Sequence, residues 1–339
     1  MIRNRRWRNA ICAGLLAGSF LLVADAQAQI TLKLATQTVP GTAQYDGANR
    51  FAELLDKKTN GRIVIKVYGD GALGGDLQII SALQRGTIEM ALMNAGLLNG
   101  LAKEFTIVDF PFLFNTEDEA YALLDGPVGQ KLLELLPAKG VVGLAYPELG
   151  FRHIHNSKRA VTRVEDLRAL KIRTVQSPID VDTVNALGAN AVPLPFPDLY
   201  HALEKKFIDG ATDPLVTIAV LRFDEVQPYL TLTRHVYNPQ IYLVSKASID
   251  KLTPADRAAL TEAAIEARDY ERRISRERNA QALEKLKATM RVTELSTAED
   301  AKMREAVGPV IDKYTKLVGE GLVAEVRAEL VKTRSKKPN

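Results

Sequence analysis

The sequence predicts an α/β fold containing parallel strands, and two observations lead to this prediction. Ile30–Thr36 alternates apolar and polar residues as a strand does, Tyr45–Thr59 has the apolar spacing of a helix, and Arg62–Tyr68 alternates again. A strand, a helix and a second strand in this order form a β-α-β unit, in which the two strands are parallel. Short strands and helices then continue to alternate as far as Val244.

The rest of the chain adds further elements and one helix of unusual length. Strands are predicted at 88–94, 141–146, 171–175 and 237–244, and helices at 77–85, 116–124, 128–136, 216–223 and 300–332. Ala255–Met290 predicts a helix far longer than is usual in globular proteins, and its apolar positions are too sparse for a coiled coil. Because 339 residues suffice for about two domains, we expect this helix to pack along the outside of both.

The segment Met1–Ala28 has the form of a secretory signal peptide. Its positively charged start contains Arg3, Arg5, Arg6 and Arg8. The apolar run Ala10–Ala24 follows, and Ala26-Gln27-Ala28 offers a cleavage site. The run is shorter than the about 20 residues that a membrane-spanning helix needs. A twin-arginine signal is disfavoured because Trp7-Arg8-Asn9, rather than apolar residues, follows Arg5-Arg6. We therefore predict Sec-type export to the periplasm.

The composition of the mature chain excludes several classes of function. Removing the signal takes away four arginines and one aspartate, which lowers the net charge from +4 to +1. This gives no electrostatic case for binding nucleic acid. The single cysteine, Cys12, lies within the signal, so the mature chain has no disulfide, thiolate metal site or cysteine nucleophile.

Arg173 is the strongest candidate for a binding residue. It stands near the end of the predicted strand 171–175, which Gln176-Ser177-Pro178 terminates. In open α/β sheets ligands bind beyond the carboxyl ends of the strands, and the planar guanidinium suits a carboxylate. A solvated surface arginine is the alternative, since most arginines are exposed. The nearby Arg152, Phe196 and Asp213 favour a site.

Other polar residues are predicted to face the same region. Asn94 ends a predicted strand, and Glu148 and Arg152 lie on the connection to the next part of the chain, where we expect the rim of a cleft. Asn238 and Gln240 flank Pro239 in the last predicted strand, and we expect them at the cleft as well.

Sequence motifs of enzymes and cofactor sites are missing. The glycine-rich segment Gly69–Asp76 is not followed by Gly-Lys-Ser/Thr and lacks the spacing of a dinucleotide fingerprint. His153 and His155 could share one strand face, but no third metal ligand stands at a useful spacing. No Gly-x-Ser-x-Gly elbow occurs. We therefore expect a binding protein without cofactor or metal rather than an enzyme.

Several segments together resemble the substrate-binding proteins of tripartite ATP-independent periplasmic (TRAP) transporters, the DctP-type family. They are Leu73-Gly74-Gly75-Asp76, Gly86-Thr87-Ile88-Glu89-Met90, Gly150-Phe151-Arg152-His153, Leu170-Lys171-Ile172-Arg173, Pro193-Leu194-Pro195-Phe196 and Ile208-Asp209-Gly210-Ala211-Thr212-Asp213-Pro214. They extend in order across almost the whole mature chain, so the resemblance is specific.

The resemblance implies a two-domain periplasmic-binding-protein-like cleft fold that closes on an organic acid anion, with one long helix bracing both domains. It implies a monomer without cofactor, which delivers its ligand to membrane transporter subunits. The domains implied are 29–151 with 240–278, and 152–239 with 279–333. The family's principal carboxylate-binding arginine falls on Arg173. The other ligand-binding positions fall on Arg152, Phe196, Asp76, Gln37, Asn94 and Gln176.

Two departures from the family pattern affect the expected ligand. Thr212-Asp213 stands where the family commonly has Glu-Asn, and the Asn usually helps to hold the carboxylate. An Asp would repel the ligand unless protonated or paired, so Asp213 contacts a ligand hydroxyl or amine, or bridges to Arg173. Asn94 and Leu97 replace charged residues of the sialic-acid branch, so we expect a smaller keto, hydroxy, sugar or aromatic acid. An ABC-type solute receptor and a ligand-sensing periplasmic domain are the alternatives.

Overall fold

The structure, a computed structural model, describes residues 29–335. The predicted signal peptide Met1–Ala28, with Cys12, lies outside the described residues. Within the described range, no helix has the length and apolar character needed to cross a bilayer.

Ten strands and twelve α-helices are found in the described range. The strands are β1 (Ile30–Thr36), β2 (Ile63–Tyr68), β3 (Met90–Asn94), β4 (Val141–Ala145), β5 (Glu148–Asn156), β6 (Lys171–Thr174), β7 (Asn190–Pro193), β8 (Gly210–Asp213), β9 (Tyr229–Ser245) and β10 (Arg291–Glu294). The helices are α1 (Ala43–Lys58), α2 (Asp76–Arg85), α3 (Glu117–Asp125), α4 (Pro127–Glu134), α5 (Pro178–Ala186), α6 (Leu199–Glu204), α7 (Leu215–Val220), α8 (Lys246–Ile249), α9 (Pro254–Thr289), α10 (Thr297–Ala306), α11 (Gly308–Val318) and α12 (Glu320–Ser335).

The strands form two half-sheets that share β9. Their order is β2-β1-β3-β9-β5-β8-β6-β7, and β4 and β10 also pair with β9. Residues 240–245 of β9 pair with β3 and β4, whereas residues 229–239 pair with β5 and, in part, with β10. The predicted parallel pairing of β1 with β2 is confirmed, but β9 runs antiparallel to β3, β4 and β5. The α/β, two-half architecture agrees with the fold class that the sequence predicts.

Strand β9 is much longer than the predicted strand 237–244. It has 17 residues and begins at Tyr229. The segment Asn238-Pro239 does not end it, because the partner strand β5 is irregular there: the register shifts between Glu148 and Gly150, opposite these two residues. A proline is tolerated at such a bulge, where the ladder is already interrupted. Gly150 has a φ of +103°, a backbone conformation that residues with a side chain rarely adopt.

The long helix α9 contacts both half-sheets, as predicted. It has 36 residues and begins after Thr253, whose side chain accepts a hydrogen bond from the backbone N–H of Asp256. Its first half packs against α1, where Gly47 lets the two helices approach closely: a Cβ there would lie 2.8 Å from Glu271 Cβ. In its second half, Ala282 and Leu286 share a core cluster with residues of α7.

The division of the chain into two domains stays a prediction. Within the segment 279–333, which is predicted to belong to the second domain, β10 and the last helices contact different halves. Strand β10 pairs with the part of β9 that belongs to the second half. Helices α11 and α12 lie within the helical region predicted at 300–332, and Val326 and Leu330 join a core cluster with Phe105 and Leu123 of the first half. The chain therefore returns to the first half already in α11, because Val310 and Tyr314 of that helix belong to the same core cluster.

Candidate functional site

A cleft lies where the carboxyl ends of several strands meet. Residues at or just beyond the ends of β1, β3, β6, β7 and β8 line it, together with the start of α2 and parts of α7 and β9. Its free volume is about 740 Å³, including the part that is open to solvent. This is the position at which open α/β sheets bind ligands. Among the described residues that line it, Arg152 and Arg173 are the only basic ones.

Arg173 is buried, and one end of its guanidinium makes no hydrogen bond to the described residues. It is only 2% exposed. Its Nε and Nη2 donate hydrogen bonds of 3.0 and 2.8 Å to the carbonyl oxygen of Leu194. Its Nη1 has no hydrogen-bond partner in the described part of the chain. Burial lowers the pKa of Arg173 to about 10, so the side chain is still protonated at neutral pH. The Nε side of the guanidinium is occupied, whereas the Nη1 end is available to an anion.

Arg152 is equally buried, but its nitrogens are already engaged. Its Nε donates to Thr212 Oγ1 at 3.1 Å, and Nη1 donates to Asn238 Oδ1 at 2.9 Å. Its Nη2 donates to the carbonyl oxygen of Thr212 and to Asp213 Oδ1, the latter at 3.2 Å. Arg152 therefore supports the cleft wall and contributes charge, while Arg173 has the unpaired donor.

Asp213 connects the two arginines to a buried histidine. Its Oδ1 lies 4.0 Å from Arg173 Nη1, and its Oδ2 lies 3.1 Å from His155 Nε2. The other ring nitrogen of His155 lies 3.3 Å from Gln227 Oε1. Burial alone would raise the pKa of Asp213, but the hydrogen bond from His155 and the charges of Arg152 and Arg173 hold it below its usual value. Asp213 is therefore ionised.

Two further carboxyl groups influence the electrostatics of the cleft. Asp76, at the start of α2, has a pKa raised to about 6 by burial, against the opposing effects of Arg173 and a hydrogen bond from Gln37. Asp180 in α5 does not line the cleft, yet burial also raises its pKa to about 6, against the charges of Arg152 and Arg173. Both groups are mostly ionised at neutral pH and become protonated in mildly acidic solution.

Most of the residues that the sequence proposes for the site line this cleft. They are Arg173, Arg152, Phe196, Asp213, Asp76, Asn94, Gln37, Gln176 and Gln240. The ring of Phe196 lies 5.7 Å from the guanidinium carbon of Arg173, a distance at which a cation–π contact is favourable. Gln37 and Gln240 each leave a buried amide oxygen without a hydrogen-bond partner in the described range.

Two predicted site residues, Glu148 and Asn238, do not line the cleft. Glu148 is buried and accepts hydrogen bonds from the hydroxyl groups of Tyr121 and Tyr237. The irregular pairing of β5 with β9 at this point coincides with a side chain that packs with these tyrosines instead of facing the cleft. Asn238 lies behind Arg152. Its Oδ1 accepts a hydrogen bond from Arg152 Nη1, and its Nδ2 donates to Asp109 Oδ1 at 2.8 Å.

Several side chains that line the cleft or contact its charged residues were missed from the sequence. Gln44, Thr217 and Leu149 line the cleft, and His155 and Asp180 act on its charged residues from behind. Gln44 follows the capping residue Thr42 at the start of α1, so its place beside the end of β1 could have been inferred. The contact of His155 with Asp213 could not, since it depends on the antiparallel pairing of β5 with β8.

Comparison with known proteins agrees with this geometry. The family model described as bacterial extracellular solute-binding protein, family 7, matches residues 34–317. The chain belongs to this family.

Relatives that match over nearly their whole length include proteins described by the acid that they bind. The 2,3-diketo-L-gulonate-binding periplasmic protein YiaO of Escherichia coli is 34% identical over 93% of this chain and 96% of its own. A TRAP periplasmic solute-binding protein of Ochrobactrum anthropi is 48% identical, covering 91% of this chain and 97% of its own, with a TM-score of 0.82. The sugar acid binding protein DctPAm of Advenella mimigardefordensis, in complex with galactonate, is 38% identical, covering 90% and 99%, with a TM-score of 0.88.

Proposed function

We propose that this family 7 protein captures an organic acid anion in the cleft and delivers it to a TRAP membrane transporter driven by an ion gradient. The observation that carries the proposal is Arg173, a buried, protonated guanidinium that lines the cleft and whose Nη1 has no hydrogen-bond partner in the described residues. A buried donor without a partner costs free energy, which an anionic ligand would recover. The galactonate of the Advenella relative and the diketogulonate of the Escherichia relative are acids of this kind.

The ligand that best fits the lining has one carboxylate and several hydroxyl groups. Among the described residues of the lining, only Arg173 offers a cationic donor without a hydrogen-bond partner, so a second carboxylate would meet no such donor there. The unpaired amide oxygens of Gln37 and Gln240 are acceptors, which suit hydroxyl donors along the ligand. Phe196 and Leu97 supply apolar surface for carbon atoms. A sugar acid or another small hydroxy acid combines these features.

Capture would proceed by hinge closure. The two halves are joined by β9, by the connection between β4 and β5, and by α9. The irregular pairing around Gly150 and Pro239 is a place where a strand can bend without breaking a regular ladder. The carboxylate would bind end-on to Nη1 and the second N–H of Nη2 of Arg173, because Leu194 occupies the other side. Closure then removes water from the ion pair and strengthens it.

The proposal includes export by the signal peptide 1–28 and action as a monomer in the periplasm. The test is a thermal-shift screen of the mature protein with galactonate, gluconate, erythronate, pyruvate, benzoate and succinate, followed by calorimetric titration of the acids that stabilise it. We expect saturable binding of an unchanged hydroxy monocarboxylate and weaker binding of succinate. Chemical turnover of the acid, or stabilisation by none of the acids, would contradict the proposal.

A further inference from the structure

A hydrogen-bond donor and a hydrogen-bond acceptor stand side by side in the cleft, both fixed and both buried. The donor is Nη1 of Arg173, which has no hydrogen-bond partner among residues 29–335. The acceptor is Asp213 Oδ1, at 4.0 Å from it, too far for a hydrogen bond between them. This oxygen accepts one hydrogen bond, from Arg152 Nη2. A carboxylate oxygen has room for about two, so it can accept another from a ligand.

This pair matches the two ends of a 2-hydroxy carboxylate, in which a carboxylate oxygen and the hydroxyl on C2 are close neighbours. The carboxylate oxygen would accept from Arg173 Nη1, and the hydroxyl would donate to Asp213 Oδ1. We propose that Asp213, together with Nη1 of Arg173, recognises the substituent on C2 of the captured acid and selects a hydroxyl group there. This assignment rests on the proposed function and names the ligand class of the same cleft.

The other common substituents on C2 fit the pair less well. An ionised carboxylate only accepts hydrogen bonds, so the oxygen of a 2-keto acid would face Asp213 Oδ1 with two acceptors in contact. An acid with no substituent on C2 leaves the acceptor unpaired. A 2-amino acid has donors, but its ammonium group would be a third cation beside Arg152 and Arg173, which already pair with this one carboxylate. A neutral hydroxyl donor is therefore favoured.

The surroundings of Asp213 hold its carboxylate in one orientation. Oδ1 is held by Arg152 and Oδ2 by His155, while Gln227 holds the far side of the histidine ring. Gln227 is itself oriented, because its Nε2 donates to the carbonyl oxygen of Val226 at 3.0 Å. A fixed acceptor loses little entropy when the ligand binds, which sharpens discrimination between ligands.

The first test uses the wild-type protein and acids that differ only at C2. The set is glycerate, hydroxypyruvate, 3-hydroxypropanoate and serine, with lactate and pyruvate as a second matched pair, and Kd is measured by calorimetric titration. A hydrogen bond to a charged acceptor predicts that the hydroxy acid binds about 10- to 150-fold more tightly than its keto partner. Equal or tighter binding of the keto acids, or of serine, would overturn the assignment.

The second test asks whether Asp213 produces the preference. In Asp213→Asn the acceptor becomes uncharged, and the hydroxy-to-keto ratio of affinities should fall about tenfold. Asp312→Asn, an exposed aspartate on α11, is the matched control and should keep the wild-type ratio. If Asp213 only supported the fold, both affinities would fall together and the ratio would stay constant, which would overturn the assignment. Binding without preference contradicts only this inference, whereas absence of binding by every acid contradicts the proposed function too.

Discussion

Replacement of Arg173 by alanine should cause a large loss of affinity for the ligand. The change removes a guanidinium that is 2% exposed and that has one nitrogen unpaired in the described residues. Truncating one partner of a buried, hydrogen-bonded charge pair costs about 2–5 kcal/mol of binding free energy. This corresponds to an increase in Kd of about 30- to 5,000-fold. We expect the affinity for the tightest-binding acid of the screen to fall within this range.

The same replacement also has a predictable effect on stability. Arg173 donates twice to the carbonyl oxygen of Leu194, which alanine leaves without these donors. An unpaired buried acceptor costs about 1–3 kcal/mol, so the melting temperature of the ligand-free protein should fall by a few degrees. Arg173→Lys keeps the charge but not the planar fork, and we expect a smaller loss of affinity, about tenfold.

Calorimetric titration and thermal unfolding of the same samples separate the two effects. Arg168→Ala removes an exposed arginine from the loop before β6 and serves as the matched control, with affinity and stability close to those of the wild type. If a folded Arg173→Ala protein bound the acid within about threefold of the wild-type Kd, a difference of less than about 1 kcal/mol, Arg173 would not be the residue that anchors the carboxylate.

The remaining predictions concern pH and packing. Asp76 has a pKa of about 6, and an anion bound nearby favours its protonated form. The affinity measured by titration calorimetry should therefore rise about threefold from about pH 7.5 to about pH 5.5, and less in Asp76→Asn. An equal rise in the variant would contradict this role of Asp76. Burial and the charge of Glu148 raise the pKa of Glu271 well above its usual value, so between these two pKa values the folded state binds more protons than the unfolded state. Stability should therefore fall as pH rises through the raised pKa. Thermal unfolding at about pH 5 and about pH 8 measures this loss of stability, which should be smaller in Glu271→Gln than in the wild type and unchanged in the exposed control Glu277→Gln. An unchanged loss in Glu271→Gln would contradict the role of Glu271. In Gly96→Ala a Cβ would lie 1.6 Å from Asp109 Oδ2, so the melting temperature should drop; an unchanged value would contradict the packing.

The local sequence was sufficient to predict the residues at the ends of parallel strands. Arg173 and Asn94 stand at or near strand ends, and such ends meet at one edge of the sheet regardless of the details of packing. The resemblance to TRAP binding proteins added Asp76 and Gln37, which line the same cleft.

The residues that were misplaced or missed depend on tertiary contacts. Glu148 and Asn238 flank a register shift between β5 and β9, and the side chain of Glu148 packs with tyrosines instead of facing the cleft. His155 contacts Asp213 only because β5 and β8 pair antiparallel, at a separation of 58 residues. Helix α12 contacts the first half because apolar residues such as Val326 and Leu330 pack there, which a boundary drawn along the sequence cannot express.

The most direct measurement is a crystal structure of the mature protein with the acid that binds most tightly in the screen. We expect the ligand carboxylate within about 2.7–2.9 Å of Arg173 Nη1, the distance of a charge-assisted hydrogen bond. A bound acid whose carboxylate makes no contact with Nη1 of Arg173 would contradict the claim that Arg173 anchors the ligand.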